Sequence, residues 1–510
     1  MSDAVLRVAA PTSEPPATGA GLAPAVAETH TAVLWFAGDR VHKMKKPVDL
    51  GFCDFTTLER RREACLREIA LNRRLSPEAY LGLEVLLGPD GTASEYLVAM
   101  RRMPAERSLA ALVRAGEPVD EHLRAVARRL AGFHSTAARG PEVDRQGTVD
   151  AARSRWAGVL DGLRRHAGTL LPADLVEHVV ARAGEFLDGR RPVFDGRIAE
   201  GRVLDGHGDL LADDVFCLPD GPAILDCLEF DDHLRWVDGL DDAGFLAMDL
   251  ERLGGADLAE RFLRWYTEFS ADPAPPALRH HFVAYRAAVR AAVTCIRVEQ
   301  GGDGAGLARD LLDLAARHLE AGRVRLVLVG GLPGTGKSTV AGGLADRLGA
   351  TLLSSDRVRK EIAGLDPETS AAAGYRTGLY RPEHTDATYA ELLRRAGDLL
   401  ARGESVVLDA SWTADAQREA AAALAARSAV PLTALRCEAP RAVADERIRR
   451  RHGSASDATP LVAAVMSADA DPWPEATAID TAGTVDDAVA AALAAVRSSR
   501  PHGRWTVVEV

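Results

Sequence analysis

Residues 325–338 read Arg325-Leu-Val-Leu-Val-Gly-Gly-Leu-Pro-Gly-Thr-Gly-Lys-Ser338, an apolar run that turns through glycines into a lysine and a hydroxyl. Thr339 and the stretch from Ala341 to Leu348 continue with helical spacing, so the order predicted is strand, turn, helix. A glycine-rich turn in that position lets successive backbone N–H groups wrap a polyphosphate, and the helix N-terminus adds positive potential. Gly331, Pro333, Gly334, Thr335 and Gly336 would form the cradle and Lys337 would reach the β- and γ-phosphates. Ser338, next to Thr339, would offer its hydroxyl to Mg²⁺. The ligand this pattern implies is a nucleoside triphosphate, expected to be ATP.

Downstream, strand-like segments begin at Ala350, Ser405, Pro431 and Thr477 and alternate with Ala-rich helical stretches, as a parallel α/β sheet requires. Asp356 follows the second strand and Arg359 lies one helical turn on. A carboxylate and a cation so placed would accept a proton from a hydroxyl and hold an anionic substrate group, although an aspartate there also suits a helix start. Asp409 ends the third apolar strand, which fits either Mg²⁺ water coordination or acceptor binding. Arg447 and Arg451 are one turn apart and would close over a triphosphate, or form a solvated basic face. Together these residues resemble the polynucleotide-kinase and zeta-toxin branch of P-loop kinases over about residues 323–499. The resemblance implies that Asp356 is a general base, Arg359 an acceptor contact, and Arg447 and Arg451 lid residues.

Upstream, Ala32 to Lys45 alternates across Gly38-Asp39 as a β-hairpin, helical spacing runs from Thr57 to Leu75, and a strand covers Glu95 to Met100. A mostly helical region follows from about Asp120, interrupted at 205–230 by Gly, Asp and Pro between short apolar runs. There, His207-Gly-Asp-Leu210 and Ala223-Ile-Leu-Asp226 resemble the catalytic and metal loops of aminoglycoside phosphotransferases. The resemblance implies that Asp209 is the base, that Asp226 binds Mg²⁺, and that His207 braces the loop. It also puts Asp214 where the family usually has an Asn metal ligand, which retains metal binding while bringing turnover into question. Lys43 and Lys45 share a strand face. One of them, preferably Lys43, would contact phosphates and pair with Glu68. Asp238, Asp241 and Asp242 would line a cationic acceptor pocket or, as a blander alternative, cap a helix and neutralise arginines.

The whole chain resembles bacterial tandems that join an aminoglycoside-phosphotransferase-like domain to a C-terminal P-loop domain of the AAA family. The stretches that carry this are Lys45 to Phe52, Leu71 to Leu75, Phe245 to Leu250 and Val406 to Ala410. The fold class expected is therefore two-domain: an α+β protein-kinase-like fold over 29–320 and an α/β P-loop fold with a parallel sheet over 323–499. A disordered leader over 1–28 and a tail over 500–510 complete the chain.

At 510 residues the chain exceeds what one core supports. Its net charge of −12 argues against a general nucleic-acid binder. The six cysteines are scattered without metal-ligand spacing and read as reduced core thiols. Lacking a long apolar run, the chain is expected to be cytoplasmic and to act without a membrane. The activity expected is ATP-dependent phosphoryl transfer at two nucleotide sites to a hydroxyl of a small polar metabolite. A nucleotide-sensing domain of weak turnover and a nucleic-acid end kinase are the alternatives.

Overall fold

The computed structural model describes residues 25–29, 31–49, 51, 53–366, 381–450 and 459–498. The chain divides into two compact units, one drawn mainly from residues up to Gly322 and one mainly from Arg323 onward.

The first unit opens with a five-stranded antiparallel sheet of order β1-β2-β3-β5-β4, where β1 is Ala25–Glu28, β2 Ala32–Ala37, β3 Arg40–Lys45, β4 Tyr80–Leu87 and β5 Ala93–Arg101. Gly38, at φ 57°, supplies the left-handed residue of the β2–β3 turn. Against the sheet lies the helix Leu58–Asn72, started by Thr57, whose side chain accepts from the Arg60 N–H. Cys65 and Ile69 on that helix pack with Tyr80, Val98 and Leu225. Two expectations change here. The leader does not run unstructured to residue 28, because Ala25 pairs opposite Phe36 and Glu28 opposite Val33. Composition measures side-chain burial and is blind to an edge strand held by backbone hydrogen bonds. The strand β4 was also unforeseen; its exposed leucines do not alternate cleanly.

Helices dominate the rest of this unit, among them Asp120–Thr136, Val149–Arg165, Gly239–Arg252, Ala256–Phe269 and Pro276–Glu299. Residues 203–238 break the helical run with two short antiparallel pairs, β6 (Val203–Asp205) with β9 (Trp236–Asp238) and β7 (Val215–Leu218) with β8 (Gly221–Ile224). The helix Gly239–Arg252 is buried on every side from Gly239 to Leu250, which makes it the central rod.

In the second unit β10 (Leu326–Gly330), β11 (Thr351–Ser354), β12 (Val406–Asp409), β13 (Leu432–Glu438) and β14 (Thr477–Asp480) form a parallel sheet of order β11-β12-β10-β13-β14. Central β10 is buried throughout, the burial expected of a parallel strand covered on both faces. Val327, Val329, Leu344, Leu435 and Ile479 belong to its core. All six cysteines are buried and free. No helix among the described residues is long and apolar enough to cross a membrane.

Candidate functional sites

In the first unit, strand β3 presents Lys43 and Lys45 to Glu68 on the helix Leu58–Asn72. Lys43 Nζ lies 2.8 Å from Glu68 Oε1 and 3.0 Å from Asp226 Oδ1. Lys45 Nζ lies 2.7 Å from Glu68 Oε2 and also pairs with Glu229. Burial alone would keep Glu68 protonated, but Lys43 and Lys45 outweigh it and hold its pKa below the ordinary range. For each lysine burial pulls the other way, yet Asp226 and Glu68 keep Lys43 well above its usual value, and Glu229 and Glu68 do the same for Lys45. The two differ in access: the Lys43 side chain is 13 % exposed and that of Lys45 is 0 % exposed. Lys43 is therefore the more accessible of the two.

Asp226 sits just past β8 at φ 62°, a left-handed conformation that aspartate tolerates better than most residues. Side chains from far upstream hold this turn. Ser76 Oγ exchanges hydrogen bonds with Ile224, Tyr80 Oη accepts the Asp226 N–H at 3.2 Å, and Asn72 Oδ1 accepts the Cys227 N–H at 2.8 Å. The Lys43 charge draws the Asp226 pKa down.

The loop before it is held by Asp242, which accepts the backbone N–H of His207 at 2.7 Å and of Gly208 at 2.9 Å and pairs with His134 at 3.0 Å. Burial would raise the Asp242 pKa, but the His134 hydrogen bond leads the opposing effects and leaves it far below the carboxylate range. His207 Nε2 lies 2.9 Å from the Leu225 carbonyl, tying the two loops together, and burial keeps the ring neutral at ordinary pH. A donor on Nε2 leaves His207 bracing the loop. Burial raises the Asp209 pKa against the pull of Arg290. Asp214 is raised well above its usual range by burial and then by Asp226 and Asp209. Asp226 thus raises the cost of ionising both Asp209 and Asp214, an acidic grouping that suits a divalent cation. Still, no group of three or more His, Cys, Asp or Glu among the described residues is arranged to hold a metal unaided. Mg²⁺ would need phosphate oxygens to complete its shell, which is its common habit.

The acidic cluster at 238–242 follows the blander alternative. Asp238 caps the helix through the Leu240 N–H and pairs with Arg197, Asp241 pairs with Arg286, and Asp242 braces the loop. None of the three is left to line a pocket for amines.

In the second unit the glycines of the loop are forced by space. A Cβ on Gly331 would lie 2.7 Å from the Cys437 carbonyl, and one on Gly334 would lie 2.4 Å from the Ala444 carbonyl. Gly336, at φ 84°, caps the helix Lys337–Leu348. Thr335 Oγ1 donates to the Leu332 carbonyl, and the Thr335 carbonyl accepts from Thr481 Oγ1 at 2.6 Å, so Thr335 shapes the loop. Pro333 is buried, while Ser338 and Thr339 are exposed on the first helical turn. The loop is thus close-packed at Gly331 and Gly334, while Ser338 and Thr339 stay exposed on the first helical turn.

Asp409 is 5 % exposed at the end of β12, in register with Val329 of β10 and Ser354 of β11. Past the carboxyl end of β11 come Asp356, in the first turn of the helix Ser355–Ile362, and the buried Arg359, where open parallel sheets commonly bind ligands. Tyr389 joins them without having been foreseen: its hydroxyl lies 3.2 Å from Ser411 Oγ and accepts the Trp412 N–H at 3.2 Å. Trp412 is held at φ 54°, and Ser411 O accepts from the Gly331 N–H, so this turn supports the phosphate loop. Arg447 Nη2 donates to the Thr481 carbonyl at 2.7 Å and its Nη1 lies beside Gly336. Arg451 lies outside the described residues.

Comparison with known proteins agrees with this division. Residues 326–472 match the AAA domain family model AAA_33. The uncharacterized protein Rv2004c of Mycobacterium tuberculosis (strain ATCC 25618 / H37Rv) is 45% identical over 475 residues, 93% of this chain and 95% of that protein. The chain belongs to this family. In this chain the match to the AAA domain model falls within the second unit, where the P-loop domain was anticipated. A choline/ethanolamine kinase family protein from Mesorhizobium loti aligns over 58% of the chain and 87% of its own, with TM-score 0.37 and 16% identity. A putative kinase from Chloroflexus aurantiacus J-10-fl aligns over 34% and 98%, with TM-score 0.28 and 22% identity.

Within this family member, the structure brings together Lys43, Glu68 and Asp226 in one unit. In the other, Asp409 ends β12, Asp356 and Arg359 lie on the helix that follows β11, and Lys337 begins the helix that follows β10, all at or after the carboxyl ends of neighbouring strands. Glu229, Tyr80 and Tyr389, and the loop-bracing role of Asp242, were missed because each acts through a partner distant in sequence, and residue type alone gave no signal.

Proposed function

We propose that the protein is an ATP-dependent phosphotransferase with two nucleotide sites, acting on a hydroxyl of a small polar metabolite. The observation that carries this is Lys43, held between Glu68 and Asp226 at 2.8 and 3.0 Å with one edge open to a ligand. Lys43 would orient phosphates, and the elevated pKa of Asp209 suits it to take the acceptor's proton. In that step the hydroxyl oxygen bonds to the γ-phosphorus, the bond to the β–γ bridging oxygen breaks, and ADP departs with its electron pair. Mg²⁺, when bound, would offset the charge on the phosphate oxygens through Asp214 and Asp226. In the second unit the phosphate loop and Lys337 would bind a second ATP, with Ser338 and Asp409 toward the metal, Asp356 as base and Arg359 toward the acceptor.

Asp214 in place of the usual Asn also favours a second reading, in which the first unit senses nucleotide and turns over weakly. Transfer of γ-labelled phosphate from ATP into a metabolite extract separates the two. Label lost only in Asp209→Ala assigns the first unit, label lost only in Lys337→Ala assigns the second, and loss in both marks coupled sites. Release of free phosphate alone by wild type would sink the metabolite-kinase reading.

A further inference from the structure

The helix Pro276–Glu299 carries Arg286 and Arg290 one turn apart, hence on the same face. Arg286 fixes where that face points, because its Nη1 lies 3.4 Å from the carbonyl of Gly208, the residue before Asp209. Its guanidinium is committed, with Nε 2.7 Å from Asp241 Oδ1, Nη2 2.9 Å from Asp241 Oδ2, and the plane stacked over Phe245. Arg290 is different. It is half-buried and forms no ion pair or side-chain hydrogen bond with the described residues; only its carbonyl is engaged, by Thr294 Oγ1 at 2.7 Å. A partly buried guanidinium with no carboxylate in direct ion-pair contact keeps its hydrogen-bond donors free for an anion that enters the site. Its charge is also the strongest attraction felt by Asp209. The nearby carboxylates that would welcome an amine are already spent on Arg197, Arg286 and the loop backbone.

We propose that Arg290 determines acceptor specificity at the first site and that the acceptor it selects carries a carboxylate or phosphate near the reacting hydroxyl. This rests on the phosphotransferase reading of that site. An acceptor bearing an amine in the same place meets a like charge instead.

The test uses the full chain as wild type, Arg290→Gln, Arg290→Lys and Asp209→Ala, with γ-labelled ATP. A cell extract sorted by ion exchange into anionic, neutral and cationic pools is presented one pool at a time. Asp209-dependent label is expected in the anionic pool. Arg290→Gln raises KM about 10- to 100-fold with kcat changed far less, and Arg290→Lys falls between. Phosphatase treatment of the pool before the assay abolishes labelling of a phosphate-bearing acceptor and spares a carboxylate-bearing one.

Asp209-dependent label in the neutral or cationic pool, indifferent to Arg290→Gln, overturns the proposal while leaving the kinase reading intact. So does a shift of the pH–rate profile in Arg290→Gln with no change in KM, since that would make Arg290 a tuner of Asp209. If no pool is labelled the kinase reading falls, and tryptophan fluorescence titrations with D-glycerate and inorganic phosphate decide the matter. A tenfold or greater loss of affinity in Arg290→Gln then upholds the anion site, and equal affinity overturns it.

Discussion

Replacing Lys45 by Met should loosen the small lobe of the first unit far more than replacing Lys43. Two lysines face three carboxylates there, and Lys45 and Glu68 are both 0 % exposed at the side chain. In Lys45→Met, Glu68 keeps one cation and Glu229 loses its ion-pair partner. Removing one member of a buried pair costs about 3–5 kcal/mol, because the remaining charge stays desolvated. Lys43 is partly open and its partner Asp226 is 56 % exposed, so water takes over much of the lost interaction. For Lys43→Met about 1–2 kcal/mol is expected. Amide hydrogen exchange reads these losses locally. Peptides from the helix Leu58–Asn72 and strand β3 should exchange on the order of 10²- to 10⁴-fold faster in Lys45→Met, with a much smaller change in Lys43→Met. Adding Glu229→Gln to Lys45→Met should restore part of the protection. Rates within threefold of wild type in Lys45→Met would refute the reasoning, and so would equal acceleration by both variants.

The same network fixes a pH window. Glu68 has a folded pKa below the ordinary 4.5, so its contribution is complete above that value and lost as acid protonates it, whereas Lys45 lies above 10.5 and contributes fully below that value until strong alkali. Protection of the same helix should therefore be flat between about pH 5 and pH 10 and fall on either side. Gly334→Ala should abolish nucleotide binding to the second unit, measured by calorimetry with Lys337→Ala as reference, since its Cβ would meet the Ala444 carbonyl at 2.4 Å on a backbone of φ 84°. Asp242→Asn should slow Asp209-dependent labelling about 10- to 100-fold, because its anionic oxygens hold the His207 and Gly208 N–H groups and each charged hydrogen bond contributes about 1.5–3 kcal/mol. Asp214→Asn should raise the first unit's melting temperature in EDTA by about 2–5 °C and blunt the further rise on adding Mg²⁺, read by scanning calorimetry. An unchanged response to Mg²⁺ would remove Asp214 from the metal site.

Much of the second unit was legible because its chemistry is local. Strand, glycine turn, lysine and helix lie within one continuous stretch, and each glycine is dictated by backbone geometry that a neighbour's side chain cannot substitute. The first unit was legible in its parts and not in its assembly. Period-two alternation puts Lys43 and Lys45 on one face but cannot say which is open, since that depends on Asp226 and Glu229 arriving from 183 and 184 residues downstream. Acidic composition at 238–242 left open a lining for amines or a helix cap that neutralises arginines, and only the positions of Arg197, Arg286 and the His207 loop show those charges to be spent. Helical spacing puts Arg290 one turn from Arg286 and cannot tell the two apart; the fold separates them by giving Asp241 to Arg286 alone.

By itself, then, the sequence determined the two domain types and the phosphate loop, because backbone propensity and short motifs are properties of neighbours along the chain. Which lysine is accessible, which carboxylates are free and which arginine lacks a partner were decided by tertiary structure, because burial and charge pairing depend on distance in space.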